Sequence, residues 1–122
     1  MRYTCLVHFD PAAMTTPGFD KRRFDRRSKD YDEELKAGGH FLGWQGLALG
    51  DAAVIVRVRD GKMSATDGPY IESKEQMAGF VMIEARDMNE AVRLAAGLPL
   101  AEIGTIEVRP VSESSIPAPQ LA

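Results

Sequence analysis

Two stretches of helical period, set among runs of strand period, constrain the fold of this chain more than any other feature. From Asp20 to Ala37, Phe24, Tyr31 and Leu35 fall on one stripe, with Ser28 between them. Lys21, Arg22, Arg26, Lys29, Asp32, Glu33 and Lys36 occupy the opposite face. A helix with one apolar stripe must bury it against another layer. Gly38-Gly39 supplies the left-handed stop with which helices often end. The second helix opens at Asp87-Met88-Asn89-Glu90, where an acidic cap precedes a glutamate by three residues, a capping-box variant. It runs to about Gly97, with Met88, Ala91, Val92, Ala95 and Leu98 apolar.

Strand signals fill the rest. Arg2 to Phe9 alternates, with Tyr3, Cys5, Val7 and Phe9 on one face and Thr4, Leu6 and His8 on the other. Asp10-Pro11 ends it, and Ala12 to Phe19 reads as a loop. His40 to Leu49 reads as an irregular strand, because Gly43 and Gly46 inside it signal a bulge or a close backbone approach. Ala53 to Arg59 and Lys62 to Thr66 form a hairpin around Asp60-Gly61. Ile71 to Met77 fits one helical turn. Gly79 to Ala85 and Ile103 to Val111 are the remaining strands.

The resulting order is β-α-β-β-β-β-α-β. Without the hairpin it is the split βαβ pattern of a ferredoxin-like α+β domain. Residues 1–111 form that domain, and 112–122, small, polar and proline-bearing, form a loose tail. Two helices cover one face of such a sheet. The strands here are apolar on both faces, so the second face needs a cover. A homodimer joined through sheet faces, in a dimeric α+β barrel, provides it.

Composition excludes several function classes. The formal net charge is -3, whereas proteins that grip a phosphate backbone carry a basic excess, so nucleic acid is not expected as a partner. No apolar run reaches the ~20 residues that span a bilayer. A single cysteine, Cys5, forbids an internal disulfide, and with no signal-peptide pattern at the N-terminus this points to the cytoplasm. His8 and His40 are the only histidines, and neither Cys5 nor His8 has zinc-type spacing, so no metal or cofactor is expected.

A longer signature lies in the middle of the chain. Val56-Arg57-Val58-Arg59-Asp60-Gly61-Lys62 is followed by Thr66-Asp67-Gly68-Pro69-Tyr70, then Glu72-Ser73-Lys74-Glu75-Gln76, then Gly79-Phe80. Together with the opening strand and Ile106-Glu107-Val108-Arg109-Pro110-Val111, it resembles the DGPF branch of the YCII-related proteins. The resemblance covers the chain up to the tail. It implies a ferredoxin-like fold dimerised sheet to sheet, in a bacterial cytosolic protein. The other branch of that family carries a His–Asp pair linked to acid/base or lyase-type work. The matching positions here are Ser28 and Leu98, so the pair does not carry over. Tyr70 stands where the motif has phenylalanine.

Candidate residues follow from chemistry. Asp67-Gly68-Pro69 has turn composition, with Asp67 bonding nearby N–H groups, Gly68 at positive φ and Tyr70 as an anchor. The other reading sets Asp67 at a cleft as a base. Glu72, Lys74 and Glu75 are either a solvated loop or a pocket lining in which the lysine sits beside a substrate anion. His8 is a buried, hydrogen-bonded histidine or a general base oriented by Asp10 or Asp67. Arg57 and Arg59 share a strand face, as an anion clamp or as charges that discourage sheet pairing. Trp44 packs in the core or an interface, or walls a pocket. His40, beside a helix end, is structural.

The site expected is therefore a small-molecule pocket between the end of the first strand and the Asp67 loop. His8, Asp10 and Asp67 are its catalytic candidates, and Tyr70, Lys74, Glu75, Arg57 and Trp44 its substrate-binding candidates. The residue types suit cofactor-independent proton transfer, lyase- or isomerase-like, on a small polar organic molecule. The alternative is a ligand-binding or regulatory module without catalysis.

Overall fold

The computed structural model describes residues 1–112, so the expected tail lies almost wholly outside the described residues. The elements in chain order are β1 (Arg2–Phe9), α1 (Lys21–Ala37), β2 (Phe41–Gly46), β3 (Val54–Arg59), β4 (Lys62–Asp67), β5 (Gln76–Glu84), α2 (Met88–Ala96) and β6 (Gly104–Pro110). Four strands make an antiparallel sheet in the order β2-β5-β1-β6, and β3 and β4 make a separate ribbon. Setting the ribbon aside, this is the ferredoxin-like arrangement.

Register sorts the sheet into two faces. Cys5 stands between Val81 and Val108, and Tyr3 stands opposite Ile83. These residues join Leu35, Ala91, Ala95 and Leu98 in the core beneath the helices. Thr4, Leu6 and His8 point the other way, beside Phe80 and Met82, all only half-buried. One sheet face is thus packed and the other open.

Capping follows the sequence closely. Asp20 accepts from the Arg23 N–H at 3.0 Å, opening α1. At its end Gly39 adopts φ 74°, and the His40 N–H reaches back to the Leu35 carbonyl. Asp87 accepts from the Glu90 N–H at 2.9 Å, and Glu90 accepts from the N–H of Arg86, the residue before the cap, at 3.0 Å, so the two carboxylates satisfy one donor on each side of the start of α2. Asp87→Ala should lower stability by about 1 kcal/mol, read from the urea midpoint. The Tyr31 hydroxyl donates to the Leu94 carbonyl at 2.6 Å and ties the two helices together.

Cys5 is fully buried in β1 as a free thiol. Burial pushes its pKa up to about 11. A thiolate is the reactive species, so the native thiol should resist alkylation at pH 8 and react only on unfolding. Since the folded-state value lies above the unfolded one, stability should fall as pH rises from the ordinary thiol range toward about 11.

Three local expectations are corrected. The segment 71–77 forms no helical turn; 71–75 is irregular and β5 begins at Gln76. Its polar run has no apolar stripe to dock, and β5 pairing captures its last residues. The loop after β1 contains a 3-10 turn, Pro11–Thr15, capped by Asp10. Gly68 does not adopt positive φ. It is needed for closeness instead: its N–H donates to the Ala53 carbonyl at 2.8 Å, and a Cβ there would lie 2.7 Å from that of Ala53.

Candidate functional site

The end of β1 that carries His8 opens onto a cavity of about 570 Å³. Its apolar walls include Leu47, Ala53, Pro69, Tyr70, Ile71 and Met77, and its polar groups are His8, Ser73, Glu75 and Gln76. A bulge builds this corner. Val7 pairs with Gly79 but His8 pairs with Met77, so Ala78 is the extra residue. Such bulges re-aim side chains.

On its other side His8 faces Thr105 of β6. The Thr105 hydroxyl donates to Glu75 at 2.7 and 3.3 Å to its two carboxylate oxygens. Directly opposed strand residues keep their Cβ atoms about 5 Å apart. One hydroxyl, on the residue paired with His8, therefore fixes the Glu75 carboxylate, and His8 and Glu75 line the same cavity. Among the described residues that ring makes no hydrogen bond, so it is neither packed away nor consumed by structure. Gln76 is held differently: its side-chain oxygen accepts from the Gly50 N–H at 2.8 Å, fixing the 47–53 loop as a cavity wall. A free imidazole lining the cavity can accept and return a proton, the anchored carboxylate can meet a polar group, and the apolar walls can seat a ring or chain.

Of the remaining candidates Tyr70 lines this cavity, and Asp10, Asp67, Lys74 and Arg57 do not. Asp10 accepts from the Ala12 N–H at 2.9 Å as the cap of the 3-10 turn. Asp67 ends β4, exposed. Among the described residues its side chain makes none of the turn hydrogen bonds expected of it, because the turn is closed by Gly68 and Ala53. Lys74 is exposed and does not line the cavity. Tyr70 does line it, yet is 73% exposed, so it is no buried anchor. Arg57 stacks over the Tyr70 ring at 5.6 Å and couples the ribbon to the cavity wall. Thr105, Gln76 and the 47–53 loop were not singled out from sequence. A threonine on an edge strand carries no local signal, and only register brings it beside His8.

Trp44 belongs to a second cavity, of about 470 Å³, on the helix-covered side. It is 61% exposed there and so is not a core residue, since edge strand β2 has a sheet neighbour on one side only. Ser28 and Leu98 line the same cavity, with Asp25, Lys29 and Asp32 at its rim. Burial raises the Asp32 carboxyl above its usual range, against the pull of Lys36. The two positions at which the resemblance looks for a His–Asp pair thus converge, but a hydroxyl and an isobutyl group provide no acid/base couple. His40 is structural, its ring nitrogen donating to the Glu84 carbonyl at 2.8 Å.

Among the described residues, no His, Cys, Asp and Glu side chains gather as a group that could hold a metal ion. No described helix is long and apolar enough to cross a membrane.

The fold and the open-faced sheet define a small ferredoxin-like α+β protein. More specifically, residues 1–115 match the YCII-related domain, and the chain belongs to that family. An uncharacterized protein of Rhizobium meliloti (strain 1021) is 38% identical over 63 residues, covering 50% of this chain and 51% of that protein, so the match spans about half the length of each. Among solved structures, the 5-chloro-2-hydroxyhydroquinone dehydrochlorinase (TftG) of Burkholderia phenoliruptrix AC1100, in complex with 2,5-dihydroxybenzoquinone, superimposes with a TM-score of 0.56. The two chains are 14% identical, over 93% of this chain and 96% of that one, a likeness of fold.

Proposed function

We propose that this chain is a cofactor-independent enzyme that moves a proton on a small organic molecule bound between the end of β1 and the 69–77 segment. One observation carries the reading: the unpartnered His8 imidazole shares a largely apolar cavity with a Glu75 carboxylate anchored by Thr105. Histidine is the side chain best suited to exchange protons near neutral pH. In this reading His8 is the base, Glu75 meets the polar pole of the substrate, and Tyr70 and Ile71 seat its apolar part. Asp10, Asp67 and Lys74 flank the site without a chemical role.

The walls suit a cyclic molecule with one polar pole better than a fully polar one. A hydroxylated ring meets that description, and the fold neighbour's ligand, 2,5-dihydroxybenzoquinone, makes a rational first probe. Calorimetric titration should show binding that weakens at least tenfold in Glu75→Gln, with Ser28→Ala unaffected. Equal weakening in both variants, or binding lost only in Ser28→Ala, would move the site to the Trp44 cavity.

The DGPF motif supports placing the chain in that branch of the family. The half-buried Leu6, Phe80 and Met82 support a homodimer through open sheet faces. The buried free thiol of Cys5 accords with a reducing, cytoplasmic setting.

A further inference from the structure

The β3–β4 ribbon is amphipathic and uncovered. Pairing sets Val54, Val56 and Val58 opposite Asp67, Ala65 and Met63 on one face. Arg57, Arg59, Lys62, Ser64 and Thr66 share the other with Ile55. The three valines and Met63 are between 59% and 68% exposed. A lone two-stranded ribbon is marginal in water and needs something to pack on. Its turn is nevertheless well specified, with Asp60 at φ 53° and Gly61 at φ 73°.

The root of this ribbon is also the rim of the His8 cavity. Ala53 precedes β3, Pro69 and Tyr70 follow β4, and all three line the cavity. Ile71, beside them, is 74% exposed, so the cavity has a wall with nothing behind it. Whatever covers the ribbon also closes that side.

Area argues for a second copy as the cover. Four strands about 4.8 Å apart and roughly 20 Å long present an open sheet face on the order of 400 Å². Six-residue strands give the ribbon a face on the order of 200 Å² more. A stable interface takes about 800 Å² of accessible surface from each partner, so a contact through the sheet face is strengthened by adding the ribbon. Both faces belong to one chain, so a two-fold contact offers each a partner in the second copy. The ribbon's cations, Arg57, Arg59 and Lys62, oppose open-ended edge pairing and favour a closed contact through its apolar face.

We propose that the β3–β4 ribbon is a clasp: its Val54–Val56–Val58 face seats on a second copy of this chain, and that copy closes the open side of the His8 cavity at Tyr70 and Ile71. The inference rests on the sheet-face dimer of the proposed function and adds the ribbon and the cavity wall to it.

Analytical ultracentrifugation of the full chain at micromolar concentration tests it, with V56E/V58E and the milder Val56→Ser beside the wild type. The wild type should be a dimer. The glutamate pair should raise the dissociation constant at least tenfold and Val56→Ser should raise it less, both with unchanged circular dichroism. Hydrogen exchange should show the backbone amides of Tyr70 and Ile71 losing protection in step with dissociation, while β1 keeps its own. Arg59→Ser, on the opposite ribbon face, should leave the dimer intact. A wild-type monomer, a dimer indifferent to Val56→Ser and V56E/V58E, or protection at Tyr70 and Ile71 that survives dissociation overturns the clasp. None of these readouts depends on ligand, so they separate failure of the clasp from failure of the His8 site.

Discussion

His8→Gln is expected to lower turnover of a hydroxylated cyclic substrate by roughly 10²–10⁴-fold while changing its affinity little, the range that general acid/base groups contribute. Glutamine keeps much of the size of histidine and its hydrogen bonding, so the apolar walls at Leu47, Pro69 and Ile71 still hold the substrate. What it cannot do is carry a proton. Glu75→Gln should behave differently. Its carboxylate is held by Thr105 at 2.7 Å, and losing the charge weakens the hold on the polar pole of the substrate. Affinity and turnover should therefore fall together in Glu75→Gln, whereas turnover alone falls in His8→Gln. A steady-state comparison of KM and kcat in the two variants separates the roles. Equal turnover in His8→Gln and the wild type would remove proton transfer from this residue.

Gly79→Ala is expected to destabilise the fold by about 3 kcal/mol or more, since two costs of order 1–3 kcal/mol each fall on one residue. The backbone there has φ 155°, which side-chain-bearing residues rarely adopt. An added Cβ would also lie 2.5 Å from the Gln45 carbonyl oxygen of the neighbouring strand, and that backbone cannot swing aside as a side chain tip can. Relief requires β2 to move off β5, which would disturb the 47–53 loop at the cavity. Gly18 is the control. It has φ 90° with open space around it, so Gly18→Ala carries only the conformational cost of about 1–2 kcal/mol. Urea unfolding should show the larger midpoint shift for Gly79→Ala with unchanged slope. Equal shifts would mean that close packing of β2 on β5 contributes nothing.

The fold was largely legible because its signals are local. Asp20 and Gly39 bound α1, Asp87 and Glu90 open α2, and Asp60-Gly61 turns the ribbon, each through backbone geometry that neighbouring residues determine. The site was legible in part. Alternation placed His8 on the open sheet face, and the motif drew attention to Tyr70 and Glu75. Thr105, 30 residues from Glu75, becomes its partner only through β1–β6 register, which no local pattern encodes. The same limit applies to Asp67 and Gly68. Their composition is that of a hydrogen-bonded turn, but the chain closes there on Ala53, a contact across the ribbon root. For Trp44 the sequence allows core or interface packing or a pocket wall; on its edge strand it is too exposed for the core and lines the second cavity beside α1.

The chain has two histidines, and they offer an internal control for the central claim. The His40 ring is tied to the Glu84 carbonyl at 2.8 Å, whereas the His8 ring is free in the cavity. The direct measurement is nuclear magnetic resonance of both imidazoles during titration with small hydroxylated ring compounds. Saturable shifts are expected at His8, with Tyr70 and Met77 moving beside it and His40 still. Binding that leaves His8 unmoved and shifts Trp44 instead would contradict the central claim.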